Sequence, residues 1–149
     1  MAKNMSFKLS SLFLALLIMF GFSVSPASAE VLITNFSGTT TPSTTSVPSN
    51  YHHFYSTKDS VSVKFKVDEF IQTAGKPGVE VKLQRSNGFW WSTVTSKIVT
   101  STSAVTLTGS TGSGDWRIVV TEVPVPTGYD KPPLYKAKST RYSGSVTGY

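Results

Sequence analysis

Three consecutive aromatic residues, Phe89, Trp90 and Trp91, are the clearest indication of a binding site in this chain. They follow a turn-forming Asn-Gly pair, and Arg85 and Asn87 supply polar groups beside them. Successive residues of a β-strand face opposite ways, so three aromatic neighbours on one strand cannot all enter the same core. We therefore expect either Trp90, or Phe89 together with Trp91, to face away from the core. Exposed rings beside polar groups stack on sugars, dock protein partners or contact membrane surfaces.

A second arrangement stays open, in which no aromatic ring is exposed. The strand that carries Phe89 and Trp91 would then be buried on both faces. One face would lie in the core, and the other beneath the Ser/Thr/Pro-rich stretch 37–50 or the proline-rich stretch that begins at Pro124. Alternation separates the two faces of a strand but does not identify what covers each of them.

The adjacent residues His52 and His53 are the only histidines in the chain. They lie in an aromatic segment predicted to be a strand, so their rings diverge and cannot easily bind one metal ion together. No cysteine and no further histidine is present to complete a ligand set. We expect one histidine to pack against the protein and the other to face solvent, with no metal site.

The remaining groups capable of chemistry do not form a catalytic arrangement. Asp68 and Glu69 are neighbours that diverge on a strand, which makes them a poor acid and base pair. Calcium bound by these carboxylates and nearby carbonyl groups is left open. The Gly-rich loop 109–114 lacks the Lys of a phosphate-binding loop and the pattern of a nucleophilic serine. The sequence therefore predicts no catalytic residues, no cofactor and no enzymatic activity.

Residues 1–29 have the three parts of a secretory signal peptide in the expected order. Lys3 and Lys8 provide the positive start, Leu9 to Val24 the apolar run, and Ser25 to Ala29 a small-residue exit of the A-x-A type. The sequence predicts cleavage after Ala29 and a secreted, extracellular protein. Whether the protein is released or stays on the cell wall is left open.

Charge and composition restrict the partners of the exported chain. The whole chain has a formal net charge of +6, and cleavage removes Lys3 and Lys8, which leaves +4. The basic residues are scattered, so the sequence favours association with anionic surfaces and not nucleic-acid binding. No second apolar run is long enough to span a membrane, and no cysteine is available for a disulfide, so stability must come from packing.

Two alternating runs determine the predicted fold. Apolar residues recur at every second position of Val61–Val67 and again in Val79–Leu83, and a Gly-Lys-Pro-Gly turn ends the connection between them. We expect the two runs to pair as neighbouring antiparallel strands with one buried face. Such a face needs a second layer, and the rest of the chain offers further strands. The prediction is an all-β fold, a single antiparallel β-sandwich of jelly-roll or immunoglobulin-like type.

The other predicted strands complete this organisation. A short N-terminal strand and a Ser/Thr/Pro-rich linker occupy residues 30–50, and the sandwich domain occupies residues 51–149. Within the linker region, Val31 to Ile33 are an alternative edge strand. The remaining candidates are Tyr51–Tyr55, Thr93–Thr100, Ala104–Thr108, Asp115–Val123 and Lys136–Tyr149. Asp115–Val123 is predicted to be central, because both of its faces carry apolar residues.

The segment Gly112–Val120, with the sequence GSGDWRIVV, resembles a late strand of secreted bacterial jelly-roll domains of the pre-peptidase C-terminal type. The order of strands from Tyr51 to Val120 is similar to the layout of that family. The resemblance implies a secreted β-sandwich that accompanies an enzyme. A shorter segment, Ser49–His53, resembles part of the lactococcin 972-type bacteriocins.

These observations lead to two hypotheses of function. The first is a secreted, non-catalytic module that binds cell-envelope or extracellular polysaccharide through Phe89, Trp90 and Trp91, assisted by Arg85 and Asn87. The second is a bacteriocin-like antagonist that acts on the envelopes of other cells, which its small size, positive charge and aromatic content would suit. The oligomeric state is left open.

Overall fold

The computed structural model describes residues 29–40, 49–72, 78–123 and 139–149. These residues form eight strands and no helix: β1 (Val31–Thr39), β2 (Ser49–Ser56), β3 (Val61–Gln72), β4 (Val79–Ser86), β5 (Trp91–Val99), β6 (Val105–Gly109), β7 (Gly114–Glu122) and β8 (Ser139–Gly148). None of the described residues belongs to a helix able to span a membrane. The apolar run of the predicted signal peptide, most of the linker and the proline-rich stretch lie outside the described residues.

The strands form two four-stranded antiparallel sheets packed face to face, so the predicted antiparallel β-sandwich is confirmed. Sheet A has the strand order β1-β8-β3-β6, and sheet B has the order β2-β7-β4-β5. β7 lies between β2 and β4, which confirms its predicted central position. β1 is one of the two edge strands of sheet A, as the alternative for Val31 to Ile33 predicted.

The predicted pairing of the runs Val61–Val67 and Val79–Leu83 is wrong. β3 belongs to sheet A and pairs with β6 and β8, whereas β4 belongs to sheet B and pairs with β5 and β7. The chain therefore changes sheets between β3 and β4. The alternation identifies the buried side of each strand. It does not show whether two such strands are neighbours in one sheet or lie in two facing sheets.

The core fills the space between the sheets with the residues that the alternation predicts. Fully buried side chains include Val61, Val63, Phe65 and Val67 on β3, Val79, Val81 and Leu83 on β4, and Trp116, Ile118 and Val120 on β7. Removing an aliphatic or aromatic side chain of this size from water stabilises the fold by about 1.5–3 kcal/mol. The intervening residues of β2, β4, β5 and β7 form the outer face of sheet B, which carries the candidate site.

Candidate functional site

The turn between β4 and β5 presents two aromatic side chains to solvent. The Asn87 side-chain oxygen accepts hydrogen bonds from the backbone N–H groups of Phe89 and Trp90, at 3.1 and 2.9 Å. Gly88 has a φ of 93°, which glycine adopts without the strain that a side chain would add. Phe89 is 91% exposed and Trp90 63% exposed, and their ring centroids lie 6.1 Å apart.

The distribution of these aromatics differs from the prediction, because only Trp91 belongs to a strand. β5 begins at Trp91, so Phe89 and Trp90 lie in the turn, where strand alternation does not apply. Both rings can therefore be exposed together, and Trp91 is only partly buried. Neither Trp90 alone nor Phe89 with Trp91 describes this arrangement, and the alternative in which no aromatic ring is exposed does not describe it either.

The Trp91 ring contacts Arg117 and His53 on the outer face of sheet B. The Arg117 guanidinium carbon lies 4.4 Å from the centre of the Trp91 ring. The same carbon lies 4.8 Å from the centre of the Tyr51 ring. His53 meets Trp91 edge to face with 5.3 Å between ring centroids, and Tyr51 lies beside His53 at 6.5 Å. We refer to Tyr51, His53, Trp91 and Arg117 as the arginine–aromatic cluster.

Strand register brings the cluster together from distant parts of the sequence. His53 on β2 lies opposite Arg117 on β7, and Arg117 lies opposite Gln84 on β4. Nε of Arg117 donates a hydrogen bond to the side-chain oxygen of Gln84 at 2.7 Å. The amide nitrogen of Gln84 donates in turn to the Thr93 hydroxyl at 2.9 Å. The guanidinium is thus positioned by ring contacts and by a hydrogen bond at Nε.

His52 points to the other side of β2, into the interface between the sheets. Its Nε2 atom lies 2.8 Å from the Tyr142 hydroxyl, and its ring centroid lies 5.1 Å from that of Phe36. Burial, and secondarily the charge of His53, lowers the pKa of His52 below its ordinary value. The prediction that one histidine packs and the other faces solvent is confirmed, since His52 is partly buried and His53 is exposed.

The Tyr142 hydroxyl is the centre of a small polar network at this interface. It accepts a hydrogen bond at 3.0 Å from the Asn50 amide, which also donates to the Thr39 carbonyl at 3.1 Å. The same hydroxyl forms the hydrogen bond with His52, in which the donor is set by the tautomer of the imidazole. Burial raises the pKa of Tyr142, so the hydroxyl stays protonated and available as a donor.

Arg85 is directed towards the Gly-rich loop and away from the open face. Its guanidinium lies over the buried Trp116 ring, with 5.4 Å between its carbon and the ring centre. Its terminal nitrogens donate to the backbone carbonyls of Thr111 and Ser113. A side chain at Gly114, whose φ is 145°, would place its Cβ 2.7 Å from Arg85 Nη2. Arg85 therefore holds the loop before β7 against β4.

The predicted divergence of Asp68 and Glu69 is seen in their different partners. Asp68 accepts a hydrogen bond from the Ser143 hydroxyl at 3.0 Å and lies 4.0 Å from the Lys66 ammonium group. Glu69 instead forms an ion pair with Arg141 at 3.1 Å. Over the described ranges of the chain, no group of three or more His, Asp or Glu side chains could hold a metal ion.

Sequence reasoning identified the aromatic triplet but not Tyr51, His53 and Arg117 as its neighbours. The alternation of β7 places Arg117 on the face opposite Trp116. It could not place that face beside Trp91, because the order of strands in sheet B is not encoded in any one strand.

Comparisons with known proteins found no family model that matches the chain, and no curated protein with significant sequence similarity.

Proposed function

We propose that this protein is a secreted, non-catalytic module that binds cell-envelope or extracellular polysaccharide. The observation that carries the proposal is the exposure of Phe89 and Trp90 in a turn that leads directly into Trp91 and the arginine–aromatic cluster. The predicted signal peptide, residues 1–29, supports a location where such polymers are present.

Stacking on sugars is the chemistry that best suits this surface. A sugar ring has a face of C–H groups that packs on a flat aromatic ring, and its hydroxyl groups keep their hydrogen bonds at the ring edge. In the unbound protein these large rings are in contact with water. A ligand that covers them removes apolar surface from water, which favours binding. Tyr55, which is also exposed, lies two residues from His53 on the same face of β2 and extends the apolar area.

Hydrogen bonds fix the backbone of the turn before any ligand arrives. Two backbone N–H groups bind Asn87, and a third, that of Gly88, donates to the Ser86 hydroxyl at 3.0 Å. Asn87 therefore serves the site by shaping the turn. Arg85 serves it by fixing the adjacent Gly-rich loop. A site that is ordered in the free protein loses less conformational entropy on binding.

Binding isotherms against a panel of purified polysaccharides, including cell-wall preparations, test the proposal. The double variant Phe89→Ala/Trp90→Ala should weaken binding about 10- to 100-fold, since two stacking rings are removed. Ile98→Ala is the matched control, because Ile98 is a 63% exposed apolar residue at the far end of β5. Equal binding by the wild type and the double variant would overturn the proposal.

The bacteriocin-like hypothesis predicts a different result. A binding module leaves the growth of susceptible cells unchanged when purified protein is added, whereas an antagonist inhibits at least one strain of a broad panel. Growth inhibition by the wild type that is lost in the Phe89→Ala/Trp90→Ala variant would show that the aromatic surface acts in an antagonist and not in a binding module.

A further inference from the structure

The arginine–aromatic cluster also indicates which class of polysaccharide the site takes. We infer that the ligand is an acidic polysaccharide, and that Arg117 binds its anionic group, a carboxylate or a phosphodiester, through the two terminal nitrogens of the guanidinium. This inference rests on the proposed function and specifies the chemistry of the same site.

The described residues hold the guanidinium of Arg117 in one orientation and leave part of its hydrogen-bonding capacity unused. The rings of Tyr51 and Trp91 contact it at 4.8 and 4.4 Å, and Gln84 binds its Nε at 2.7 Å. Among the residues that the structure describes, neither terminal nitrogen of Arg117 has a hydrogen-bond acceptor. Two parallel N–H groups on a planar fork match the two oxygens of a carboxylate or phosphodiester.

The charge of Arg117 is also not neutralised by the described part of the protein. The ion pairs found there involve Lys66, Lys82 and Arg141. Lys82, which shares the outer face of sheet B, is paired with Glu80 at 3.0 Å. Asp115 lies two positions from Arg117 on the same face of β7 but forms no ion pair with it. The cluster therefore retains one oriented positive charge.

Aromatic contacts increase the preference for an anion at this point. Aromatic rings beside the guanidinium displace water from it, and the stacked cation still has its edge free for hydrogen bonds. An anion that reaches this edge meets a donor pair with less solvent screening than a fully exposed lysine provides. Neighbouring sugar units of the same polymer can then stack on Phe89 and Trp90, which precede Trp91 in the chain.

The test compares polygalacturonate with its carboxyl-reduced, neutral derivative, and polyglycerol phosphate serves as the phosphodiester polymer. Binding is measured calorimetrically at about 0.15 M and about 0.5 M salt, because the higher concentration screens attraction between exposed charges more strongly. We expect the wild type to bind at least one acidic polymer about tenfold more tightly than the neutral one, as a charge-assisted hydrogen-bonded pair would provide. The two acidic polymers distinguish carboxylate from phosphodiester, and a preference for either supports the inference.

Arg117→Met should abolish the preference for the acidic polymer and leave binding of the neutral polymer in place. Arg117→Lys should restore only part of it, because an ammonium group cannot form the planar two-pronged contact. Lys64→Met is the matched control, since it removes an exposed charge from sheet A that has no ion-pair partner within the described ranges. If Arg117→Met fails to fold, Gln84→Ala replaces it, because loss of the Nε contact should reduce the acidic preference while the charge remains.

The outcomes separate this inference from the proposed function. Equal affinity for the acidic and neutral polymers, unchanged in Arg117→Met, would overturn the inference and leave polysaccharide binding intact. Equal losses in Arg117→Met and Lys64→Met would also overturn it, because diffuse charge attraction would then account for the preference. Absence of binding to every polymer would overturn the proposed function itself.

Discussion

The Nε2 atom of His52 and the hydroxyl of Tyr142 are 2.8 Å apart and join the two sheets of the sandwich. His52 lies on β2 in sheet B, and Tyr142 lies on β8 in sheet A. Burial of the apolar side chains in the core holds the two sheets together, but the hydrophobic effect is non-directional. A hydrogen bond at the interface adds a directional contact that specifies how β2 lies over β8.

This pair makes the stability of the fold depend on pH. The pKa of His52 is lowered in the folded protein, so between that pKa and the ordinary value of 6.5 the unfolded chain binds more protons than the folded chain. The free energy of unfolding should therefore be highest above pH 6.5 and should decrease as pH falls below it. Thermal unfolding at a series of pH values between about 5 and 8 measures the effect.

Two histidine variants provide the control for this pH dependence. His52→Gln should flatten the profile over that range, because the imidazole whose pKa is lowered is then absent. His53→Gln should leave most of the slope, since His53 is exposed on the outer face. An unchanged slope in His52→Gln would assign the pH dependence to other groups.

Removing the Tyr142 hydroxyl should destabilise the protein although the ring remains. Tyr142→Phe leaves both Asn50 and His52 without their shared partner at a partly buried position. We expect a loss of about 1–3 kcal/mol in the free energy of unfolding, measured by urea denaturation. Tyr149→Phe is the matched control, because Tyr149 is 41% exposed at the end of the chain. Equal effects of the two variants would show that the network contributes little.

Gly144→Ala should also be destabilising, for a steric reason. A Cβ at this position of β8 would lie 2.5 Å from the backbone oxygen of Lys64 and would overlap the ring of Phe36. The Phe36 ring contributes to the core beside Phe65, so it cannot move without opening a gap. We expect a cost of about 1–3 kcal/mol by urea denaturation, whereas the neighbouring Ser145→Ala should change stability by less than about 0.5 kcal/mol.

The last strand should be indispensable for folding. β8 lies between β1 and β3, so deletion of residues 139–149 would leave β1 without a partner in sheet A. It would also remove Tyr142 and Val146 from the core. We expect the truncated chain to lose its cooperative thermal transition, measured by circular dichroism. Removal of Tyr149 alone should retain that transition, because only its backbone bonds to Ser60 are lost. A cooperative transition in the longer truncation would contradict the assigned role of β8.

The contrast between β3 and Trp91 shows how far the sequence could be interpreted. The buried positions of β3 follow directly from its alternating pattern, because each strand places every second side chain on one face. The neighbours of Trp91 do not follow from any local pattern. Tyr51 and Arg117 are separated from Trp91 by up to 40 positions in the chain, and they come close to it only because sheet B has the strand order β2-β7-β4-β5. That order depends on how whole strands pair, which no local pattern encodes.

The sequence by itself determined the all-β class, the buried faces of β3, β4 and β7, and the Asn-Gly turn that precedes the aromatic triplet. These features depend on interactions between residues close together in the chain, namely alternation, turn propensity and local hydrogen bonds. Only the tertiary structure decided that β3 and β4 lie in opposite sheets and that Arg117 is held between Tyr51 and Trp91. Those relationships result from competition among many possible strand pairings, which is resolved only when both sheets close over a common core.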